Sequence, residues 1–375
     1  MKKIVLPLIF PVALCAQTTV DTTKVDLKEP AQDHITLFDK KASARLLFVG
    51  DYAKSFTTDV DMTGKHNPEA SDNGFYLKYV RINAKFDISK KLSALVLVNL
   101  ADFKNDPKSR VLEIASLKYA ANPYLNLQVG QFRPYFGLED MYPAEIMKSN
   151  AWSNQYGAMS RSNWQSFQIG AAVFGSLQKN KVPLRYYYTF YNGNGKNQIQ
   201  DDDDAKNHAF RLEYDLLPKL TLAGNSAFTR VQSQNASMHG IDFQYEQKLS
   251  DVWNFDISSD FKYGTNVAAF KSSTLADKKI SDFRLTGFYI LPAVSRQLNK
   301  KMNSFAELSL RYEYLEELKN GNHSNTITPM LSYVVGNDYA CKVSLVGIFI
   351  DYKNNIPSTS QYSSNIFLLQ FQVRY

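Results

Sequence analysis

The chain has 375 residues, 44% of them hydrophobic and 21% charged, with a net charge of +7 and a mean hydropathy of −0.33. After residue 20 no run comes near the roughly 18–20 apolar residues of a spanning helix, which excludes a helical membrane protein. The 23 Tyr, 24 Phe and 3 Trp exclude a disordered chain, and point instead to extended β structure, where aromatic residues are enriched.

Residues 1–16 read as a secretory signal: Lys2 and Lys3 form a basic start, residues 4–14 an apolar core, and the small Cys15 and Ala16 precede Gln17. Bulky Leu14 argues against acylation of Cys15. Removing the signal would take two of the positive charges with it and leave Cys341 alone, which can form neither an internal disulfide nor a cysteine-based metal site. Residues 17–42, rich in Thr, Asp, Lys and Gln, read as a flexible leader. Residues 43–375 form one domain with no break in composition.

From residue 43 onward the dominant pattern is period two, the signature of strands. Val80, Ile82, Ala84, Phe86 and Ile88 alternate with Tyr79, Arg81, Asn83, Lys85 and Asp87. Tyr186, Tyr188 and Phe190 alternate with Arg185, Tyr187 and Thr189; Ala306, Leu308, Leu310 and Tyr312 alternate with Glu307, Ser309, Arg311 and Glu313. Near the end, Phe367, Leu369, Phe371, Val373 and Tyr375 oppose Leu368, Gln370, Gln372 and Arg374. About 16 such segments can be counted, starting near residues 43, 75, 91, 109, 123, 164, 182, 206, 218, 237, 252, 281, 303, 325, 338 and 364. Most run ~9–13 residues, the length of a tilted strand crossing a bilayer (about 9–11) and longer than the ~5–6 of a soluble sandwich.

The connectors alternate between tight turns (Ser89-Lys90, Leu217-Pro218, Ser250-Asp251, Gly336-Asn337) and longer polar stretches at 57–73, 103–108, 138–163, 192–205, 230–237, 264–280, 315–324 and 352–363. Short turns on one side and long loops on the other is the up-and-down pattern of outer-membrane barrels. The predicted fold is therefore all-β: a 16-stranded antiparallel transmembrane β-barrel with short periplasmic turns and long extracellular loops. Such a barrel explains the negative mean hydropathy, because only every second residue must be apolar. Tyr76, Tyr79, Tyr119, Tyr124, Trp253, Tyr263, Tyr312, Tyr314, Tyr339 and Tyr375 fall near strand ends and read as interfacial girdles.

The most informative segment is Val129-Gly-Gln-Phe-Arg-Pro-Tyr-Phe-Gly-Leu-Glu139, where Pro134 must end or bulge the ladder. This segment, with Asn122-Pro-Tyr-Leu before it and Val80-Arg-Ile-Asn-Ala-Lys upstream, resembles the phosphate-selective porin O and P family. The terminal Phe-Gln-Val-Arg-Tyr resembles the C-terminal signal through which barrel-insertion machinery reads outer-membrane proteins, here ending in Tyr375 rather than the usual Phe. The resemblance implies a homotrimer in the outer membrane, surrounded by membrane lipid and lipopolysaccharide, with a third loop folded into the pore. It makes the connector 138–163 that loop, and Arg133, Lys148 and Arg161 the cations that would draw anions through the constriction.

By alternation, Arg81, Lys85, Arg185, Arg211, Lys262, Arg284, Arg311, Lys342 and Arg374 fall on the polar, lumen-lining face. So do Asp87, Glu213, Asp242, Glu246, Asp256, Asp260, Glu307 and Glu313, so the two signs nearly balance and no one-sided ladder for phosphate emerges. Asp201–Asp204 lacks the spaced ligands of a calcium loop and reads as a solvated surface stretch. The five histidines stand singly, and no nucleophile elbow, phosphate loop or zinc-protease motif occurs. No enzyme, cofactor, metal or nucleic-acid partner is expected. The function expected is passive diffusion of small hydrophilic solutes or anions, with phosphate preference left open; a plugged barrel acting as a binding protein or adhesin is the rival.

Overall fold

The computed structural model describes residues 35–37, 40–198, 205–317 and 321–375. The expected signal, most of the leader and the acid run at 201–204 lie outside them. A short strand β1 (Ile35–Leu37) pairs with the start of β2 (Lys40–Ser55). There follow β3 (Asn73–Asp87), β4 (Leu92–Asn99), β5 (Leu112–Asn122), β6 (Leu125–Phe132), β7 (Gln168–Ser176), β8 (Leu184–Tyr191), β9 (Asn207–Leu217) and β10 (Leu220–Val231). The second half is β11 (Gln234–Lys248), β12 (Trp253–Thr265), β13 (Arg284–Asn299), β14 (Ser304–Glu316), β15 (His323–Val335), β16 (Cys341–Tyr352) and β17 (Ser364–Arg374). Among the described residues, each strand from β2 pairs antiparallel with the next, and β17 returns to pair with β2 from Ile366↔Ser55 to Arg374↔Leu47. The result is a closed barrel of 16 strands. Tyr375 finishes the closure by exchanging two backbone hydrogen bonds with Leu46, at 2.8 and 3.0 Å.

The observed strand starts lie close to those expected, and the barrel begins at Lys40 rather than residue 43. One connector differs in kind. The expected long loop at 230–237 is a two-residue turn: Gln232 and Ser233 both have positive φ (47° and 66°) and join Val231 directly to Gln234. That is the geometry of a tight hairpin turn whose twist matches the strands.

The apolar face is the exposed one. On β14, Leu308 and Leu310 are 59% and 45% exposed, whereas Glu307, Ser309, Arg311 and Glu313 are buried. Leu46, Phe48, Leu127, Val129, Leu212, Ile241, Leu331, Leu345 and Phe371 continue this apolar belt on other strands. Polar side chains are thus enclosed and hydrocarbon is presented outward, as a bilayer requires. Tyr119, Trp253, Tyr263, Tyr312 and Tyr375 are exposed at the expected girdle positions. Tyr76, Tyr79 and Tyr339 are not: Tyr76 packs on an inner cluster, Tyr79 lies under the Arg81 guanidinium, and Tyr339 donates to Glu307. A bulge, in which Val49 and Gly50 pair with Tyr79 and Leu77, leaves Lys78 unpaired and breaks the alternation there. Placing a charge on the outer face should be costly: Leu310→Arg is expected to destabilise the barrel by about 2–4 kcal/mol, measured by denaturant unfolding from lipid vesicles.

Candidate functional site

Inside the barrel, the dominant feature is the connector between β6 and β7, residues 133–167. It enters the lumen rather than standing above the rim, and Phe136, Glu139, Gln155, Met159, Trp164 and Gln165 are buried on it. Two short 3₁₀ turns, Leu138–Asp140 and Ala144–Ile146, precede a helix at Asn154–Arg161. Ser153 caps this helix by accepting from the Tyr156 N–H at 3.1 Å. The helix lies directly on β13: a Cβ built on Gly287 would be 2.4 Å from Gln155 Cβ, so only glycine allows the approach. Gly137, at φ 78°, plays the same part against β12, where a Cβ would fall 2.6 Å from the Lys262 side chain.

The barrel wall holds the loop mainly through its backbone. Lys78 Nζ donates to Asn150 O at 2.7 Å, Lys342 Nζ to Met147 O at 3.0 Å, and Arg311 to Ala151 O at 2.5 Å and to Ser149 Oγ at 2.8 Å. Gln370 and Gln372 donate to the carbonyls of Asn150 and Glu145. Going the other way, Glu313 accepts the Asn154 N–H at 2.6 Å, Asn225 the Gly137 N–H at 2.9 Å, and Asp260 the Leu138 N–H at 3.2 Å. Nearer the long-connector rim, Phe136, Met159 and Trp164 pack against inner-wall residues Ala209, Ala227, Met238 and Leu285. Trp164 Nε1 also donates to Thr265 O at 2.9 Å.

The enclosed charges form ladders across strands. Arg185 grips Asp215 with two bonds of 2.7 Å and Glu213 with one of 2.6 Å. Arg211 bonds Glu213 at 2.8 Å and clamps Asp242 at 2.6 and 2.9 Å. Arg81 makes the same two-toothed contact with Glu113, at 2.7 and 2.9 Å, a geometry that arginine, unlike lysine, can offer a carboxylate. Between the loop and the β8–β13 wall an open cavity of about 480 Å³ remains, lined by Lys148, Arg185 and Arg211 and by Glu213, Asp242, Glu246, Asp256 and Asp338. A second of about 330 Å³ lies beside it toward the short turns, with Lys148, Lys219 and Lys248 facing Glu246, Asp256 and Glu307.

The closed barrel with an infolded loop after its fifth strand is similar to known proteins in sequence and in fold. Residues 52–216 match the model of the family described as "Phosphate-selective porin O and P". Over this stretch the chain is similar to that family, and its barrel has the fold of solved outer-membrane porins. Its fold is shared by the outer membrane channel DcaP of Acinetobacter baumannii, at a TM-score of 0.58 and 10% identity over 90% of this chain and 97% of that one. OmpT of Vibrio cholerae matches with a TM-score of 0.57 and 9% identity, covering 92% and 100%. OmpF of Salmonella typhi, in complex with daunomycin, matches with 0.58 and 12% identity, covering 90% and 98%. No curated protein sequence matches the chain.

Within the barrel lumen the three expected constriction cations are dispersed. Arg133 is a brace inside the loop, donating to Glu139 O at 3.1 Å and Tyr142 O at 2.8 Å and lying over the Trp152 ring. Lys148 faces the cavities but is paired with Asp256 at 2.6 Å. Arg161 is 60% exposed and pairs with Glu317 on the long-connector rim. Of the lumen set, Arg81, Arg185, Arg211 and Arg311 face inward, and Lys85 stands beside Asp87 with its side chain half exposed at the short-turn mouth. Arg284 does not face the lumen. Leu285, Tyr289 and Leu291 form the buried face of β13, so Arg284 points outward and lies over the Tyr263 ring. The alternation was misread there because β13 turns apolar residues inward to pack on the loop. Lys78 was missed for the complementary reason, since its bulge breaks the period. Gln370 and Gln372 carried no charge to draw attention.

Two loop carboxyls are held with their charge disfavoured. Burial pushes both Glu139 and Asp140 up to about 7, against the hydrogen bonds Glu139 receives from Ser153 and Asp140 from Tyr156. The docked loop therefore binds more protons than an undocked one. Its docking is strongest below the ordinary carboxylate range near 4 and weakens as pH rises through about 7. Protease cleavage within residues 138–165 should accelerate between pH 5 and 8, and Glu139→Gln should flatten that dependence.

Proposed function

We propose that the chain forms a passive channel for small hydrophilic solutes with weak charge selectivity, and no dedicated phosphate site. The observation carrying this reading is the pairing of the lumen cations. Arg81, Arg185, Arg211 and Lys148 each hold a carboxylate, while Lys78 and Lys342 are spent on loop carbonyls. The larger cavity carries five carboxylates against three cations. Opposed charges across a narrow passage set up a transverse field that orients polar solutes without rejecting either sign strongly. No chemical step is assigned to the barrel.

Planar-bilayer recordings in a salt gradient test this. The wild type should show a reversal potential near zero, tilted toward cations. Asp256→Asn should move it toward anions and Lys148→Gln toward cations, while Arg161→Gln leaves it unchanged. Strong anion preference in the wild type would sink the reading, and the absence of both conductance and liposome swelling would favour a plugged binding barrel.

We further propose a homotrimer. OmpT of Vibrio cholerae is described in a trimer form. Support in this chain is the low wall: β4, β6 and β8 have 8 residues each and β7 has 9, against 15 and 16 for β11 and β13. A spanning strand needs about 9–11, so this sector matches a protein neighbour better than lipid. Val129→Arg, on its exposed face, should convert the assembly to monomers by light scattering in detergent while the barrel remains heat-modifiable. Outward Phe371, Val373 and Tyr375 on the last strand support its reading by the insertion machinery.

A further inference from the structure

We propose that Glu246, Asp256 and Glu307 form a lumen subsite for the primary ammonium group of a small amphipathic solute, and that Lys148 occupies it as a tethered competitor. This inference rests on the channel reading above and names the class of solute the passage binds. In the strand register Glu246 on β11 stands opposite Asp256 on β12, and two like charges so placed repel. Beyond Asp256 the next wall strand presents Ala293 and Ser295, and Ser295 stands opposite Glu307 on β14. These small β13 side chains leave room between the carboxylates, and Glu246, Asp256, Ser295 and Glu307 all line the cavity of about 330 Å³. Glu307 Oε2 accepts from the Tyr339 hydroxyl at 2.7 Å, while Oε1 is buried with no hydrogen-bond partner among the described residues.

Lys148 shows what the subsite takes. Its ammonium reaches from the loop to Asp256 at 2.6 Å, and its charge is also felt at Glu307. The backbone is fixed on both sides of it: Lys342 holds the Met147 carbonyl, and Lys78 and Gln370 hold that of Asn150. The flexible four-carbon stem can therefore leave Asp256 without moving the loop, and at 26% exposure the side chain is open to solutes. Lys148, Glu246, Asp256 and Tyr339 line both lumen cavities, so the bridge stands where the two meet. In the larger cavity Met141, Ile146 and Leu291 offer an apolar surface. A solute with an ammonium at one end and a hydrocarbon stem at the other matches both features. Its N–H groups replace those of Lys148 on Asp256, and its stem lies along the loop, where burial adds a gain that a bare inorganic cation lacks.

Single-channel recording of the full chain in planar bilayers tests the subsite. The probe is n-butylammonium; its N,N,N-trimethyl analogue, with the same charge and stem but no N–H, is the control. The wild type should be blocked by butylammonium at a lower concentration than by the analogue or by ammonium ion. Lys148→Gln should lower the half-blocking concentration of butylammonium about ten-fold, the scale of one charge-assisted hydrogen bond, and that of the analogue far less. Lys148→Arg should not lower it, Glu246→Gln should raise it, and Arg161→Gln on the rim should leave it unchanged. No gain in Lys148→Gln, or an unchanged block in Glu246→Gln, would overturn the proposal. So would an equal gain for probe and analogue, which would assign the effect to the lumen field alone. Isothermal titration calorimetry of the refolded chain in detergent reads the same affinities without current. Conductance without butylammonium binding overturns this inference and leaves the channel reading standing, whereas binding with the same variant pattern and no conductance keeps the subsite and overturns the channel.

Discussion

Everything in this structure depends on the hydrogen-bonded ladder between β2 and β17. A bilayer offers no partner to an unpaired N–H or carbonyl, so an open sheet edge within it is excluded. The ladder from Ile366↔Ser55 to Arg374↔Leu47 removes both edges at once. Closure in turn fixes an inside and an outside, which is why the strict two-residue period becomes a physical separation of water from hydrocarbon. The closed ladder also supplies the constraint that cross-links supply in smaller exported proteins.

The closed wall creates a second demand. Arginines and lysines that face inward must keep partners once the loop displaces water from around them, because an unpaired buried charge is far costlier than a paired one. The lumen meets this in two ways. Along β8–β11, carboxylates on neighbouring strands supply counter-charges, as in the Arg185–Glu213–Arg211–Asp242 chain. Along β3, β14, β16 and β17, the loop itself supplies carbonyl and hydroxyl oxygens. The loop is thus at once the narrowing of the passage and the solvent for the charges around it.

Much of the barrel was legible because period two is written residue by residue along each strand, and the 16 strands follow from it. The loop was legible in position, from Gly130, Pro134 and Gly137 interrupting the pattern, and from a resemblance. Its side-chain roles were not. Charge type alone does not distinguish Arg133 holding two carbonyls inside the loop from a cation facing the passage, because both need a long basic side chain near a bend. Arg284 and Lys78 mark where the period itself misleads: β13 buries apolar residues against the loop, and the β3 bulge slips the register by one. The pairing that neutralises Arg211 and Lys148 depends on contacts between strands and between loop and wall, which no single segment reveals.

The carbonyl anchoring of residues 147–151 has an evolutionary consequence. A side chain can be exchanged without touching the oxygen of its own peptide group, so Lys148 and its neighbours can vary while Lys78, Arg311 and Lys342 continue to grip the same backbone. The shape of the passage is thereby insulated from the chemistry displayed along it. A lineage carrying this scaffold can retune which solutes it admits by single substitutions in the loop, each leaving the fold of the constriction intact.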